Sequence, residues 1–209
     1  MFSLQTIFGK GDKFYGLLEA SAESARSSAR ALIELLSSPA SQQSLDKFKR
    51  ARIQEKDLSA QISEELVNTF VTVLDREDIE ALNGALYKIP KIVEKFAEHY
   101  TIAFARIGDV DFISRAAMLQ QACDVLAQMV GLLRKGMDLD QIKKLNDQLH
   151  TIEGEADKLI LNLYRDAYVE ESDPIRYLVK MNLFEILEKA IDRCRDAGNV
   201  IYHIVLKNS

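Results

Sequence analysis

The chain has 209 residues, 47% of them hydrophobic, with a formal charge of −5 and a pI near 5.3. This is ample apolar material for a buried core, which excludes a disordered chain, and too little positive charge for a nucleic-acid footprint. An acidic surface favours cations or basic partners instead.

The first residues, MFSLQTIFGKGDKF, lack a basic segment and a long apolar run, so no signal peptide is expected. No window is expected to reach the roughly 20 apolar residues of a membrane span, which predicts a soluble, cytoplasmic protein. Nine Gly and three Pro leave little punctuation, and between breaks the apolar residues recur at i, i+3, i+4 and i+7. The fold class is therefore all-α. Breaks at GKGD (9–12), SSPAS (37–41), VLDRED (73–78), RIGDVD (106–111), RKGMDLD (134–140) and EESDP (170–174) predict six helices, over 12–37, 42–74, 76–106, 111–135, 139–170 and 174–207.

In chain order, Asp75 is expected to cap the third helix, with Glu77 and Asp78 at its positive end. Pro90 should kink that helix without ending it, because the apolar pattern resumes on both sides. Asp138 with Gln141 resembles a capping box, and Asp173 before Pro174 places a capping carboxylate ahead of a first-turn proline. ALNGALYKI and AAMLQQACDVLAQMVGLL are apolar on more than one side, which predicts self-association into a homo-oligomer. Cys123 and Cys194 have no CxxC spacing and read as buried free thiols. Short connectors between long helices imply antiparallel bundle packing.

The six helices divide into two sets of three, residues 1–108 and 109–209, similar in length and order. In each, a middle helix with acids near QEKD (54–57) or EGEAD (153–157) leads through an acidic turn into a long final helix, the pattern of a tandem duplication forming one compact unit.

Candidate chemistry concentrates in the second set. On the last helix Glu185, Glu188, Asp192 and Asp196 fall within a sector of about 80°, opposite Leu183, Leu187, Ala190, Cys194 and Ile201. On the fifth, Glu153 and Asp157 stack at i, i+4 beside the stripe of Ile152, Leu159 and Leu163, while Glu155 points elsewhere. Were the two rows level across a groove, their carboxylates could share hard or borderline cations. Equally, they could be a solvated face partly neutralised by Lys158, Lys189, Arg193 and Arg195. His99, His150 and His203 read as surface residues. The Glu-x-x-His pairs of di-iron bundles, a Gly-rich phosphate loop, a nucleophile elbow and HExxH do not occur, so an enzyme is not expected.

TFVTVLDREDIEAL (69–82), IEGEADKL (152–159) and LFEILEKAIDRCRDAGNVIYHIVLK (183–207), with the tandem layout, resemble the PhoU-like phosphate-uptake regulators, and more narrowly their divergent branch associated with Pit-type inorganic phosphate transporters. The resemblance implies a regulator of phosphate transport that contacts a transporter or signalling protein, at the inner face of the membrane. It implies a divalent or ferric ion (iron, zinc, magnesium or calcium) on Glu153/Asp157 and Asp192/Asp196, with Glu185 and Glu188 as further ligands. The first half departs from the family pattern: Ile53 stands four before Asp57, and ALYKIPKIVEK places Lys88 and Lys91 where acids are expected. Two competing readings are a metal-dependent helical-bundle hydrolase or oxidase and a metal-free helical adaptor.

Overall fold

The computed structural model describes residues 4–170 and 173–209. The helices are α1 (Leu4–Ser37), α2 (Asp46–Asn68), α3 (Arg76–Ile107), α4 (Ile113–Arg134), α5 (Leu139–Glu170) and α6 (Pro174–Lys207), with a 3-10 turn at Ala40–Gln42 between α1 and α2. Among the described residues there is no strand. Glu171 and Ser172 of the expected acidic turn lie outside them, as do Met1–Ser3.

Within each set of three, every helix touches the other two, and α1 with α4 and α3 with α6 join the sets. One continuous core results. Its aromatic centre is where α3, α4 and α6 meet: Phe112 lies 5.5 Å from Phe96, 5.8 Å from Tyr100 and 4.6 Å from Phe184, ring centre to ring centre. On α1, Ser21, Ala22, Ser24, Ala25, Ser28 and Ala29 are all buried, small side chains that let neighbouring helices approach closely. The serine positions fall outside an apolar pattern, yet two of them are accommodated by hydrogen bonds, Ser28 Oγ donating to the Ser24 carbonyl at 3.0 Å and Ser21 Oγ to Glu55 of α2.

Several expectations require correction. α1 begins at Leu4 and runs through the GKGD stretch instead of starting after it. α2 ends at Asn68, six residues early. There the connector to α3 is shaped by Arg76, whose guanidinium donates to the carbonyls of Leu66, Thr69 and Phe70. Thr69 and Leu74 are buried while Phe70 is 93% exposed at the tip. Asp75 makes no capping hydrogen bond; instead Lys207 reaches it at 3.7 Å and Asp78 at 2.9 Å, tying the end of α6 to the start of α3. Finally, Ile113–Arg134 is long and apolar enough, by length and composition alone, to cross a membrane. It is here a core helix, packed on α1, α5 and α6 with Leu119, Leu126 and Met129 fully buried, so its apolar excess is absorbed within the chain. α2 starts at Asp46 and α4 at Ile113, four and two residues later than expected, while the starts of α3, α5 and α6 hold. Asp173 Oδ1 accepts from the backbone N–H groups of Ile175 and Arg176 at 2.9 and 3.2 Å, and Asp138 Oδ1 from that of Gln141 at 3.1 Å. Pro90 sits inside an unbroken α3.

Candidate functional site

α5 and α6 run antiparallel, and their register follows from three cross-helix contacts: His150 to Asn199 at 3.0 Å, Arg195 to Glu153 at 3.3 Å, and Tyr164 to Glu185. Gly198 sets the spacing. A Cβ there would stand 2.4 Å from Leu149 Cδ1 and 3.0 Å from Asn146 Oδ1, so any larger residue requires these buried side chains to change rotamer or α5 to shift. Asn146 is buried and donates to Asn199 at 3.1 Å, a polar contact behind the acidic rows.

This register answers the question of height left open by the spacing. Asp192, Asp157 and Glu153 come close enough to act on Glu188. The Glu188 carboxyl is pushed up from 4.5 to about 7, first by burial, then by Asp192, Asp157 and Glu153, with Arg195 opposing. Asp196 lies at the edge of the group, bonded to Arg193 at 2.6 Å and Arg195 at 3.2 Å. Glu185 is drawn off by the Tyr164 hydroxyl, which donates to it. The buried stripe of α5 also differs from the sequence reading. It runs through Ile142, Leu149 and Ala156, leaving Ile152, Leu159 and Leu163 half-buried; the side chain of Glu153 is only 18% exposed and Asp157 is open to solvent.

Between the rows lies a guanidinium. Arg195 pairs with Glu153, with Asp192 at 2.9 Å and with Asp196, so a side chain supplies positive charge where the resemblance implies an ion. Among the described residues no three His, Cys, Asp or Glu side chains converge as a metal-ligand group. As placed, the carboxylates therefore do not form a ready ligand set, and a cation would have to displace Arg195. His150 turns to Asn199 and His99 to Asn182, the latter at 3.2 Å.

Several residues were missed from sequence. Counting from Asp75 and Asp173, the residues that precede α3 and α6, Glu94 and Glu98 occupy the positions of Asp192 and Asp196. The first half thus carries an E-x-x-x-E row hidden by the lysines around it. Here too an arginine intervenes: Arg52, almost buried, pairs with Glu94 at 3.3 Å, donates to the Tyr87 hydroxyl at 3.1 Å and stacks 4.7 Å over its ring. Glu55, fully buried between α1 and α2, accepts from Ser21 Oγ at 2.5 Å, and burial pushes its carboxyl up. Cys123 and Cys194 are buried free thiols whose sulfurs lie 3.7 Å apart, a contact that only the packing of α4 on α6 reveals.

No family model matches the chain. It is 22% identical over 201 residues to the "Putative pit accessory protein" of Rhizobium meliloti, covering 94% of each chain. It is 23% identical over 145 residues to UPF0111 protein YkaA of Bacillus subtilis, covering 69% of this chain and 70% of that one. A crystal structure of a PhoU-like protein from Shewanella oneidensis matches with a TM-score of 0.79 at 17% identity, covering 93% of this chain and 99% of its own. A second PhoU-like protein of that organism gives 0.76 at 18% identity with the same coverage. The chain is thus PhoU-like in fold along nearly its whole length.

Proposed function

We propose that the chain regulates inorganic phosphate transport by contacting a Pit-type transporter or an associated signalling protein, without catalysing a reaction of its own. The observation that carries this reading is similarity along 94% of the chain to a relative whose name describes a pit accessory protein. The PhoU-like fold supports it as the scaffold on which such a role sits. The site in this reading is cytoplasmic, at the inner membrane face. The test is phosphate uptake through a Pit-type transporter expressed with and without this chain, together with co-purification of the two from membranes. Uptake unchanged by the chain, and no co-purification, would reject the proposal. Turnover of phosphoesters, lost on Asp192→Asn, would favour a metal-dependent hydrolase.

Cation binding by Glu153, Asp157, Glu188 and Asp192 is a second reading, favoured by the crowding of Glu188 among three other carboxylates. An ion that displaced Arg195 would relieve that repulsion. On this reading iron, zinc, magnesium or calcium raises the melting temperature of the wild type and chelator lowers it, while Asp192→Asn with Asp196→Asn abolishes both responses. A wild-type melting temperature indifferent to metal and chelator leaves Arg195 as the cation of the groove and the chain as a metal-free adaptor.

A further inference from the structure

A groove of about 480 Å³ along the seam between α3 and α6 carries charge opposite to that of the chain as a whole. Lys88, Lys91 and Lys95 line one wall and Lys189 and Arg193 the other, over a floor that includes Ile92 and Ile186. Only two acids, Glu94 and Glu98, share the lining. The seam is antiparallel and tied at both ends, by Lys207 to Asp78 at 2.9 Å and by Arg106 to Asp173 at 3.0 Å, so the two walls are held at a fixed separation. Lys91 and Lys189 stand the same distance beyond Asp75 and Asp173 and line opposite walls.

The charges in this groove are unbalanced. Glu94 is engaged by Arg52, and Arg193 by Asp196. That leaves Lys88, Lys91, Lys95 and Lys189, all exposed and outside the ion pairs of the described residues, against the single exposed carboxylate of Glu98. Elsewhere on the described surface some cations find carboxylates, as Arg134 does with Asp12 and Glu19, and Arg26 with Glu23 and Asp124, and others such as Lys135 and Lys144 do not; this groove differs in gathering four such lysines around one concavity. Four ammonium groups around one concavity repel each other, and an anion seated among them removes that repulsion.

We infer that this groove binds a condensed phosphate chain, an anion of two or more linked phosphate groups. The row from Lys88 to Lys95 extends about 10 Å along α3. A single orthophosphate meets only one end of such a row, whereas a chain of phosphates lies along it and reaches the opposite wall. The volume falls within the usual range for small-ligand sites of about 300–1,000 Å³. Lysines act as point charges and not as planar forks, so the groove reads the amount and spread of charge more than shape. This inference goes beyond the transport role and does not depend on it.

The test is calorimetric titration of the full chain with tripolyphosphate, pyrophosphate, orthophosphate and ATP, at low and at physiological salt. The expected order is tripolyphosphate tighter than pyrophosphate, and pyrophosphate tighter than orthophosphate, each weakened by salt. The double variant Lys91→Gln with Lys189→Gln changes exposed side chains, keeps the wild-type melting temperature, and should bind tripolyphosphate about tenfold or more weakly, a change of about 1.4 kcal/mol or more. Lys135→Gln with Lys144→Gln, on the α4–α5 face, should leave binding unchanged. ATP binding no tighter than tripolyphosphate assigns the groove to the phosphate chain alone; tighter ATP binding adds the base on the Ile92–Ile186 floor. No tripolyphosphate binding at low salt, orthophosphate bound equally well, or an equal loss in the α4–α5 variant overturns the inference.

Discussion

Replacing Gly198 with Ala adds one methyl group at the tightest approach between α5 and α6. Its Cβ would lie 2.4 Å from Leu149 Cδ1, 3.0 Å from Asn146 Oδ1 and 3.6 Å from Met129 Sδ, closing three directions of escape. Leu149, Asn146 and Met129 are all buried, so relief requires a rotamer change in a filled core or a shift of the helix. Overpacking of this kind costs about 1–3 kcal/mol, offset by roughly 1 kcal/mol from the better helix propensity of Ala. The upper end applies here because the first contact is more than 1 Å inside ordinary van der Waals distance, giving a net loss of about 2 kcal/mol. At about 2–4 °C per kcal/mol for a domain of this size, the melting temperature should fall by roughly 4–8 °C. Gly154→Ala is the control: nothing lies within 4 Å of that Cβ, so only the propensity gain remains and stability should rise by about 0.5–1 kcal/mol. Urea denaturation of both variants, with a Leu149→Ala/Gly198→Ala double-mutant cycle, reads these differences. Gly198→Ala as stable as Gly154→Ala, or strictly additive with Leu149→Ala, would refute the close-approach argument.

Other outcomes follow from the same geometry. Because the carboxyl of Glu188 is raised from 4.5 to about 7, its contribution to stability is fully present below pH 4.5 and is lost as pH rises through 7. Glu188→Gln should remove that loss and gain about 1 kcal/mol over wild type at pH 8, the half-exposed setting having reduced the full effect through solvent screening; an unchanged pH profile of denaturation would count against the crowding. The hydrogen-bonding contact with Cys123, and then burial, hold the Cys194 thiol well above its ordinary value, so a thiol reagent should label neither cysteine in the native protein and both in denaturant. Rapid native labelling would contradict the packing of α4 on α6. Superposition of the backbone of residues 10–105 on that of residues 110–207 should match the helices in the same order; a failure of that correspondence would remove the duplication.

Helix number and most boundaries were legible because apolar period and capping chemistry are local. Asp138, Asp173 and Pro174 act within one turn of themselves, and the structure keeps them in those roles. The end of α2 was not legible because it depends on Arg76 folding back over carbonyls of the last turn of α2 and of the connector that follows it. The acidic row of α6 could be read from its angular spacing, and so could its dry face. The position of Arg195 between the rows could not, because it requires the register of α5 against α6 that Gly198 permits. Glu94 and Glu98 were obscured by judging α3 on its lysines; counting from the residues that precede α3 and α6 exposes them without any coordinates. Glu55 gave no signal, since a buried carboxyl served by serines looks in sequence like any solvated acid.

The connector between α2 and α3 has a further consequence. Thr69 and Leu74 bury its two ends, and Arg76 holds three carbonyl groups around it, so Phe70 projects from a segment whose shape is already fixed. A ring that is 93% exposed on such a support differs from the same ring on a slack loop, because a surface meeting it does not have to confine the backbone as it does so. The entropy of ordering that stretch was lost when the chain folded, and it does not recur at each encounter.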